Sequence, residues 1–223
     1  MMVVTTGIRK LDNLLGGGFP STTTILLSGG PGSGKTLLAL KFLMEGVRKK
    51  EKCCFVSLNE TRDELLRACK RITGLKDAEK YIGKNLAIEH IPLGENITMK
   101  KFIDIIASYP EIDRLVIDNV NKLLIFSESN RCYRLHLSEL VRHLKNAGCS
   151  LLLCETKGDN IDTGNGESFE CDGVLHLSFL ELEEKPMRTV TVHKMRYANF
   201  DPKIPHEFVI DDKDLKLGAT KII

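Results

Sequence analysis

The segment SGGPGSGKT, residues 28–36, limits what this chain can fold into more than any other stretch. It contains four glycines and a proline, and it lies between the apolar run TILL and the apolar pattern LLALKFLM. Glycine reaches positive φ without steric cost and allows a ligand to approach the backbone closely. The segment therefore predicts a strand, a tight loop and a helix in succession, with a loop that can wrap around a ligand.

The spacing of this segment is that of a phosphate-binding loop. Gly29, four residues, then Gly34, Lys35 and Thr36 match the pattern in which backbone N–H groups and a helix N-terminus face an anion. Lys35 is expected to reach the β and γ phosphates of a nucleotide, and the Thr36 hydroxyl to bind Mg²⁺. The predicted nucleotide contacts form one continuous stretch: Gly29, Gly30, Pro31, Gly32, Ser33, Gly34, Lys35, Thr36 and Leu37.

Length and composition indicate one α/β domain over residues 1–223. The chain is 42% hydrophobic and has a formal net charge of +2, so no global excess of charge points to nucleic acid or an anionic membrane as a partner. No apolar run approaches the roughly 18 residues of a membrane span, and the N-terminus lacks the features of a signal peptide. We therefore expect a cytoplasmic protein.

The seven cysteines predict free thiols rather than a metal site or a disulfide framework. Their number is odd, and no two of them form a C-x-x-C pair. Most lie in apolar stretches such as CCFVSL and CSLLLC, where a free thiol behaves as a small hydrophobic group in a reducing compartment.

Strand-like and helix-like patterns alternate along the chain. The clearest predicted strands are CCFVSL (53–58), RLVIDN (114–119) and SLLLCET (150–156). The clearest predicted helices are one over 61–72, capped by Thr61 and Glu64, and a long one that ends at Gly148. The segments LAIEHI and FIDIIASY continue the alternation. Strands separated by helices imply a mostly parallel, twisted sheet covered on both faces.

The sequence pattern changes in the C-terminal part of the chain. From Gly173 two alternating runs flank a Glu-Glu-Lys-Pro turn and HEFVIDD follows, which predicts C-terminal antiparallel strands. The glycine-rich polar loop 157–170 is long enough to indicate function or mobility.

Two acidic residues end apolar strands, where parallel sheets place groups that face ligands. Asp118 ends RLVID and is the predicted second element of the Mg²⁺ site. Glu155 ends LLLCE and either senses the γ phosphate through a water or caps the strand edge.

With these motifs the chain resembles the KaiC-like branch of the RecA-type P-loop ATPases. The resemblance is carried by TTGIRKLDNLLGGGFPSTTTILLSGGPGSGKTLLALKFLMEG, FVSLNET, RLVIDN, HLKNAGCSLLLCET, CDGVLHL and KMRYANFDPKIPHEFVID, so it covers essentially the whole chain as one KaiC domain. It implies a RecA-like core with ATP and Mg²⁺ as ligands. It also implies a ring of copies, commonly a hexamer, with ATP held between neighbours.

The resemblance assigns further residues to the site. The K-x-R element, here Lys194 and Arg196, implies cations that reach the neighbouring copy's nucleotide and complete its catalytic site; without the family, they would be exposed cations on an ordinary strand. The positions that contact adenine in the family are Phe169, Arg188, Ile210 and Asp212.

Several departures from the family pattern bear on activity. Asn59 and Glu60 stand where the family has two glutamates, the first of which activates the attacking water. An amide cannot accept that proton, although Asn59 could still orient a water or Glu60 could shift inward, so hydrolysis is expected to be slow. Tyr197 and Ala198 stand after the K-x-R element, where the family has a glycine followed by serine or threonine. Phe169 follows Ser168 at the position where the self-phosphorylating clock protein has a threonine, so self-phosphorylation of that kind is not expected.

Three functions follow from these observations. The first is a slow ring ATPase that signals to an unknown protein partner. The second is an ATP-dependent switch with negligible turnover, supported by Asn59. The third is a recombinase-like DNA-binding paralogue; Arg131 and Arg134 favour it, but the acidic residues of loop 157–170 would repel a nucleic acid backbone.

Overall fold

The structure is a computed structural model that describes residues 2–94, 97–109, 111–181 and 186–221. Short 3-10 helices cover Ala78–Tyr81 and Val120–Phe126. The strands and helices, in chain order, are β1 Val3–Val4, α1 Arg9–Leu14, β2 Phe19–Pro20, β3 Thr23–Gly29, α2 Lys35–Arg48, β4 Cys53–Ser57, α3 Arg62–Lys70, β5 Leu86–His90, α4 Met99–Ala107, β6 Arg114–Asp118, α5 Asn130–Leu144, β7 Cys149–Glu155, α6 Glu167–Glu170, β8 Gly173–Leu180, β9 Met187–Met195, β10 Pro205–Ile210 and β11 Leu215–Lys221.

The main sheet of the described residues has nine strands in the order β11-β10-β9-β8-β3-β7-β6-β4-β5. The six strands from β8 to β5 are parallel, and β9, β10 and β11 continue the β8 edge in antiparallel fashion. The predicted mostly parallel sheet with C-terminal antiparallel strands is confirmed. Strand β8 pairs in parallel with β3 and antiparallel with β9, so it is where the two patterns meet.

Strand β3 shows why the sequence of a central strand is apolar at consecutive positions. All seven of its residues are buried. Ile25 and Leu27 pack in a core with α2, whereas Leu26 points to the other face and packs in a core with α4 and α5. Since successive side chains of a strand face opposite sides, a sheet covered on both faces needs apolar residues at consecutive positions.

Helix α3 begins as predicted. Thr61 accepts a hydrogen bond from the backbone N–H of Glu64, and the Glu64 carboxylate accepts one from the Thr61 N–H, which is a complete capping box. The segment FIDIIASY lies largely in helix α4. The predicted turn after β8 includes residues 183–185, which lie outside the described residues.

The predicted end of the long helix at Gly148 is wrong. Helix α5 ends at Leu144, and Gly148 serves another purpose. A Cβ at Gly148 would lie 2.5 Å from the carbonyl oxygen of Asp113. The glycine therefore permits a close approach of two backbone segments at the start of β7, where its own N–H donates to Ile112.

The seven cysteines carry free thiols, and six of them are buried; Cys132 is partly exposed. This confirms the reading of the cysteines as small hydrophobic groups. Within the described ranges, none of the helices has both the length and the apolar character needed to span a bilayer.

Candidate functional site

The phosphate loop, residues 29–36, joins the carboxyl end of β3 to helix α2. Gly34 lies at φ 104° just before the helix, and a Cβ there would lie 2.6 Å from Ile210 Cδ1. Gly29 lies at φ 152°, and a Cβ there would lie 2.2 Å from the carbonyl oxygen of Leu177. Both positions combine a left-handed backbone with a close contact, so the loop conformation requires glycine at each of them.

The Lys35 side chain folds over this loop. Its ammonium donates to the carbonyl oxygens of Gly29 at 2.8 Å and Gly30 at 2.9 Å. Burial lowers the pKa of Lys35, while the charges of Glu155 and Asp118 act in the opposite direction. The ammonium is therefore held beside the loop backbone, in a position to meet an anion bound by the loop amides.

Thr36 and Asp118 meet as the sequence predicts for a Mg²⁺ site. The Thr36 hydroxyl donates to Asp118 Oδ2 at 2.9 Å, and the Asn59 amide donates to Oδ1 at 3.5 Å. Asp118 is 5% exposed, and burial raises its pKa against the opposing effects of Thr36 and Lys35. These are hard oxygen donors of the kind that Mg²⁺ prefers.

The donor set indicates how such an ion would be held. In the described ranges, no cluster of three or more histidine, cysteine, aspartate or glutamate side chains could hold a metal ion. A site with one hydroxyl and one carboxylate suits Mg²⁺, which keeps several waters and takes its other ligands from phosphate oxygens. The residues present therefore fit this ion.

Asn59 and Glu60 follow strand β4 on a turn held by Ser57. The Ser57 hydroxyl accepts the backbone N–H groups of Asn59 at 3.3 Å and Glu60 at 2.9 Å. The turn places the Asn59 amide against Asp118 and the Glu60 side chain in the adjoining cavity. Burial raises the pKa of Glu60, and the charges of Asp118 and Glu64 raise it further. Glu60 is thus a carboxylate with increased basicity beside the phosphate loop.

Glu155 lies next to the start of the phosphate loop. Glu155 of β7 lies opposite Gly29 of the neighbouring parallel strand β3. The backbone N–H of Glu155 donates to Asn121 Oδ1 at 3.0 Å. Its side chain is exposed, and its charge is the largest one acting to raise the Lys35 pKa. This position is compatible with both roles considered for it.

A cavity of about 800 Å³ opens from the phosphate loop. This volume is in the range of small-molecule sites. Arg188 belongs to its wall and donates to the Gly32 carbonyl at 3.3 Å. The lining residues are Gly32, Gly34, Lys35, Thr36, Leu37, Glu60, Glu64, Arg67, Ala68, Arg71, Ile72, Arg188, Ile210, Asp211 and Asp212.

This lining contains residues that sequence reasoning missed. Glu64, Arg67 and Arg71 form one face of α3 and its exit, and Asp211 lies beside the predicted Asp212. The signal for the first three was available: their spacing of three and four residues places them on one helical face, and that helix begins directly after Asn59 and Glu60. Asp211 had no such signal, because its place depends on the turn between β10 and β11.

Phe169, Lys194 and Arg196 lie together elsewhere in the chain. Phe169 is 71% exposed on α6. The Lys194 ammonium donates to the carbonyls of Ser168, Phe169 and Cys171. Arg196 pairs with the buried carboxylate of Asp172 at 3.3 Å. None of the three is among the residues that line the described cavity, and their predicted contacts with nucleotide stay predictions.

Fold and site together define the class of protein. A parallel sheet, a glycine-rich loop between its central strand and a helix, and a paired threonine and aspartate at the carboxyl edge characterise the P-loop nucleotide-binding proteins of the RecA-like type.

Comparison with known proteins names the family. The family model described as "ATPase: KaiC" matches residues 4–221. The chain therefore belongs to the KaiC ATPase family, as the resemblance of its motifs indicated.

Relatives of several kinds share this similarity. UPF0273 protein PF1931 of Pyrococcus furiosus is 27% identical over 99% of this chain and 95% of its own length. The circadian clock oscillator protein KaiC of Synechococcus elongatus is 29% identical over 94% of this chain, which spans 41% of that protein. The crystal structure of the KaiC-like protein PH0186 of Pyrococcus horikoshii superposes with a TM-score of 0.84 at 28% identity, covering 97% of this chain and 99% of that one.

Proposed function

We propose that this chain binds ATP with Mg²⁺ and hydrolyses it slowly, as a regulatory module built from one KaiC domain over residues 1–223. The observation that supports this most directly is the pairing of Thr36 with Asp118 beside Lys35 and the phosphate loop. Parallel strands bring these groups to one edge of the sheet, and a Mg²⁺-bound triphosphate needs all of them.

Each residue has a defined task in this proposal. The amides of the phosphate loop and Lys35 hold the phosphates, and Thr36 and Asp118 hold Mg²⁺. A bound Mg²⁺ neutralises charge that develops on the phosphate oxygens. Asn59 orients the attacking water, and Glu60 accepts its proton. Because Asn59 replaces the family's first glutamate and the proton is accepted one residue later, by Glu60, we expect hydrolysis to be slower than with that glutamate in place.

The ring and the nucleoside contacts belong to the same proposal. Arg188, Ile210 and Asp212 contact the adenosine from within the chain, as supported by their place in the cavity. Lys194 and Arg196 act on the site of a neighbouring copy in a ring of commonly six, where an arginine can contribute about 10³ to 10⁵ in rate. Free thiols support a cytoplasmic setting, and the partner that receives the signal is a protein.

One observation favours a second candidate function. The Asn59 side chain donates to Asp118, which engages it beside Thr36, and an amide does not act as a general base. An ATP-dependent switch with negligible turnover would use the same binding groups without Glu60. The DNA-binding alternative has less support, because Arg134, one of its two cations, stacks over the ring of Phe169.

Phosphate release and ATP binding, measured on the same samples, test these proposals. We expect slow release by the wild type, none above background for Lys35→Ala, and faster release for Asn59→Glu. Wild-type release equal to that of Lys35→Ala, with ATP still bound, would leave the switch as the function. Failure of the wild type to bind ATP would reject both.

A further inference from the structure

The turn between β10 and β11 forms one wall of the cavity. Its residues come late in the chain, far in sequence from the phosphate loop. Ile210, Asp211 and Asp212 contribute to this wall. Residues 29–36 supply the phosphate contacts, so the remainder of the cavity is available to the nucleoside. The position of this turn relative to the phosphate loop therefore decides how well a whole nucleotide fits.

The turn is internally ordered by one carboxylate. Asp211 Oδ1 accepts the backbone N–H groups of Lys213 and Asp214, each at 2.9 Å, and Asp211 Oδ2 accepts from Lys216 at 2.8 Å. The segment 211–214, which we call the acidic turn, is thus held in one conformation by the Asp211 carboxylate.

An ion pair between a buried lysine and a half-exposed aspartate attaches the acidic turn to helix α2. The Lys41 ammonium lies 2.7 Å from both carboxylate oxygens of Asp214. The Lys41 side chain is 6% exposed and that of Asp214 is 43% exposed. Lysine is seldom buried without a charged partner, so the contact fixes where Asp214 can lie. Exposed ion pairs elsewhere on the surface carry no such constraint.

The same turn is also attached to the segment that follows α3. The backbone N–H groups of Thr73 and Gly74 donate to the carbonyls of Asp212 and Lys213, each at 2.8 Å. A Cβ at Gly74 would lie 2.6 Å from Asp214 Oδ1, so the absence of a side chain at Gly74 leaves room for this carboxylate. Helix α2, the exit of α3 and the acidic turn are therefore joined at one point.

From this arrangement we infer that Lys41 and Asp214 are positioning residues that hold the nucleoside wall of the cavity at its distance from the phosphate loop. Helix α2 begins at Lys35, and Lys41 lies about 9 Å further along the helix axis at 1.5 Å per residue. Helix α2 thus carries both the phosphate contact at Lys35 and the anchor of the acidic turn at Lys41. The pair governs affinity for the nucleoside part of the ligand and leaves the grip on the phosphates unchanged. This inference rests on the proposed nucleotide binding.

The test compares two ligands that differ in the nucleoside. Calorimetry with Mg²⁺ measures Kd for ATP and for inorganic tripolyphosphate in the wild type, Lys41→Met and Asp214→Asn. Binding to a less pre-organised wall costs affinity, and we expect Kd for ATP to rise about 10-fold while Kd for tripolyphosphate stays within about twofold. KM for ATP rises in parallel and kcat is retained.

Two variants keep the test decisive. Lys70→Met removes an exposed ion pair with Glu79 on the surface and is expected to leave both Kd values unchanged. Asp214→Asn changes a half-exposed side chain, so it reports on the inference if Lys41→Met fails to fold. An equal loss of affinity for both ligands, or no loss for either, would overturn the positioning role. A wild type that binds neither ligand would instead reject the proposed function, and the inference with it.

Discussion

Asn59, Glu60 and Asp118 show how neighbouring residues divide the work of one site. Asp118 is buried and bonded to Thr36 and Asn59, which suits a fixed metal ligand. Among the residues that the structure describes, none makes a hydrogen bond with the Glu60 side chain, which lines the cavity with a raised pKa. A carboxylate that is more basic than usual and free to move is the better proton acceptor of the two. The chemistry that the family assigns to the position of Asn59 is therefore available one residue later.

This predicts a pH dependence of phosphate release. Glu60 must be deprotonated to act as a base, and its pKa is raised from the ordinary value of 4.5. The rate should rise with pH through that raised pKa and level off toward neutrality. Glu60→Gln should lose this acid limb and about 10²- to 10⁴-fold in kcat. Glu79→Gln, at an exposed carboxylate paired with Lys70, is the control. A Glu60→Gln variant with wild-type kcat would assign proton transfer elsewhere.

At the scale of elements, the phosphate loop is shaped by the strands around it as much as by its own residues. Gly34 faces Ile210 and Phe208 of β10, and Gly29 faces the backbone of β8. The glycines thus serve two purposes: they allow the loop conformation, and they allow the antiparallel edge of the sheet to pack against the loop. This packing brings Ile210 to the cavity.

The two contributions can be separated by comparing two glycines with positive φ. Gly83 lies at φ 74° with open space where a Cβ would be, whereas Gly34 lies at φ 104° against Ile210. Gly83→Ala should destabilise the protein by about 1 to 2 kcal/mol through the backbone alone. Gly34→Ala should cost about 1 to 3 kcal/mol more through overpacking. Urea unfolding measures both, and equal losses would show that the contact with β10 carries no energy.

At the scale of the whole molecule, burial decides which thiols can react. Burial raises the pKa of Cys53, Cys54 and Cys149 to about 12 and that of Cys69 to about 11. The thiols of Cys154 and Cys171 are buried as well, and Cys132 is partly exposed on α5.

Because the thiolate is the reactive form, an aromatic disulfide reagent at pH 8 should label one thiol quickly in the native protein and seven after denaturation. Cys132→Ser should abolish the fast reaction without changing the slow one. Fast labelling of two or more sites in the native protein would contradict the burial of the other six thiols.

Ring assembly predicts complementation between inactive chains. Lys35→Ala lacks the phosphate contact, and Arg196→Ala lacks the cation proposed for the neighbouring site. In a random equal mixture, about a quarter of interfaces would join an intact phosphate loop to an intact Arg196. We therefore expect phosphate release to recover to about a quarter of the wild-type rate when the two variants are mixed. Release that stays at the sum of the separate variants would show that Arg196 acts within its own chain or only in structure.

Local patterns were enough to predict much of this protein. The phosphate loop, the capping box of α3 and the strand ending at Asp118 each depend on residues close together in sequence, because turn geometry, helix capping and strand alternation are local effects. The convergence of Thr36 and Asp118 was also predictable, since parallel strands bring their carboxyl ends to one edge.

Only the tertiary structure decided the contacts between segments that are distant in sequence. Gly148 reads as a helix cap, but the approach of Asp113 gives it another purpose. The acidic turn reaches the cavity because Lys41, 173 residues earlier, binds Asp214. Phe169, Lys194 and Arg196 lie away from the chain's own cavity because α6 and Asp172 hold them. Such contacts depend on how completed elements pack against one another, and no local pattern in the sequence encodes that packing.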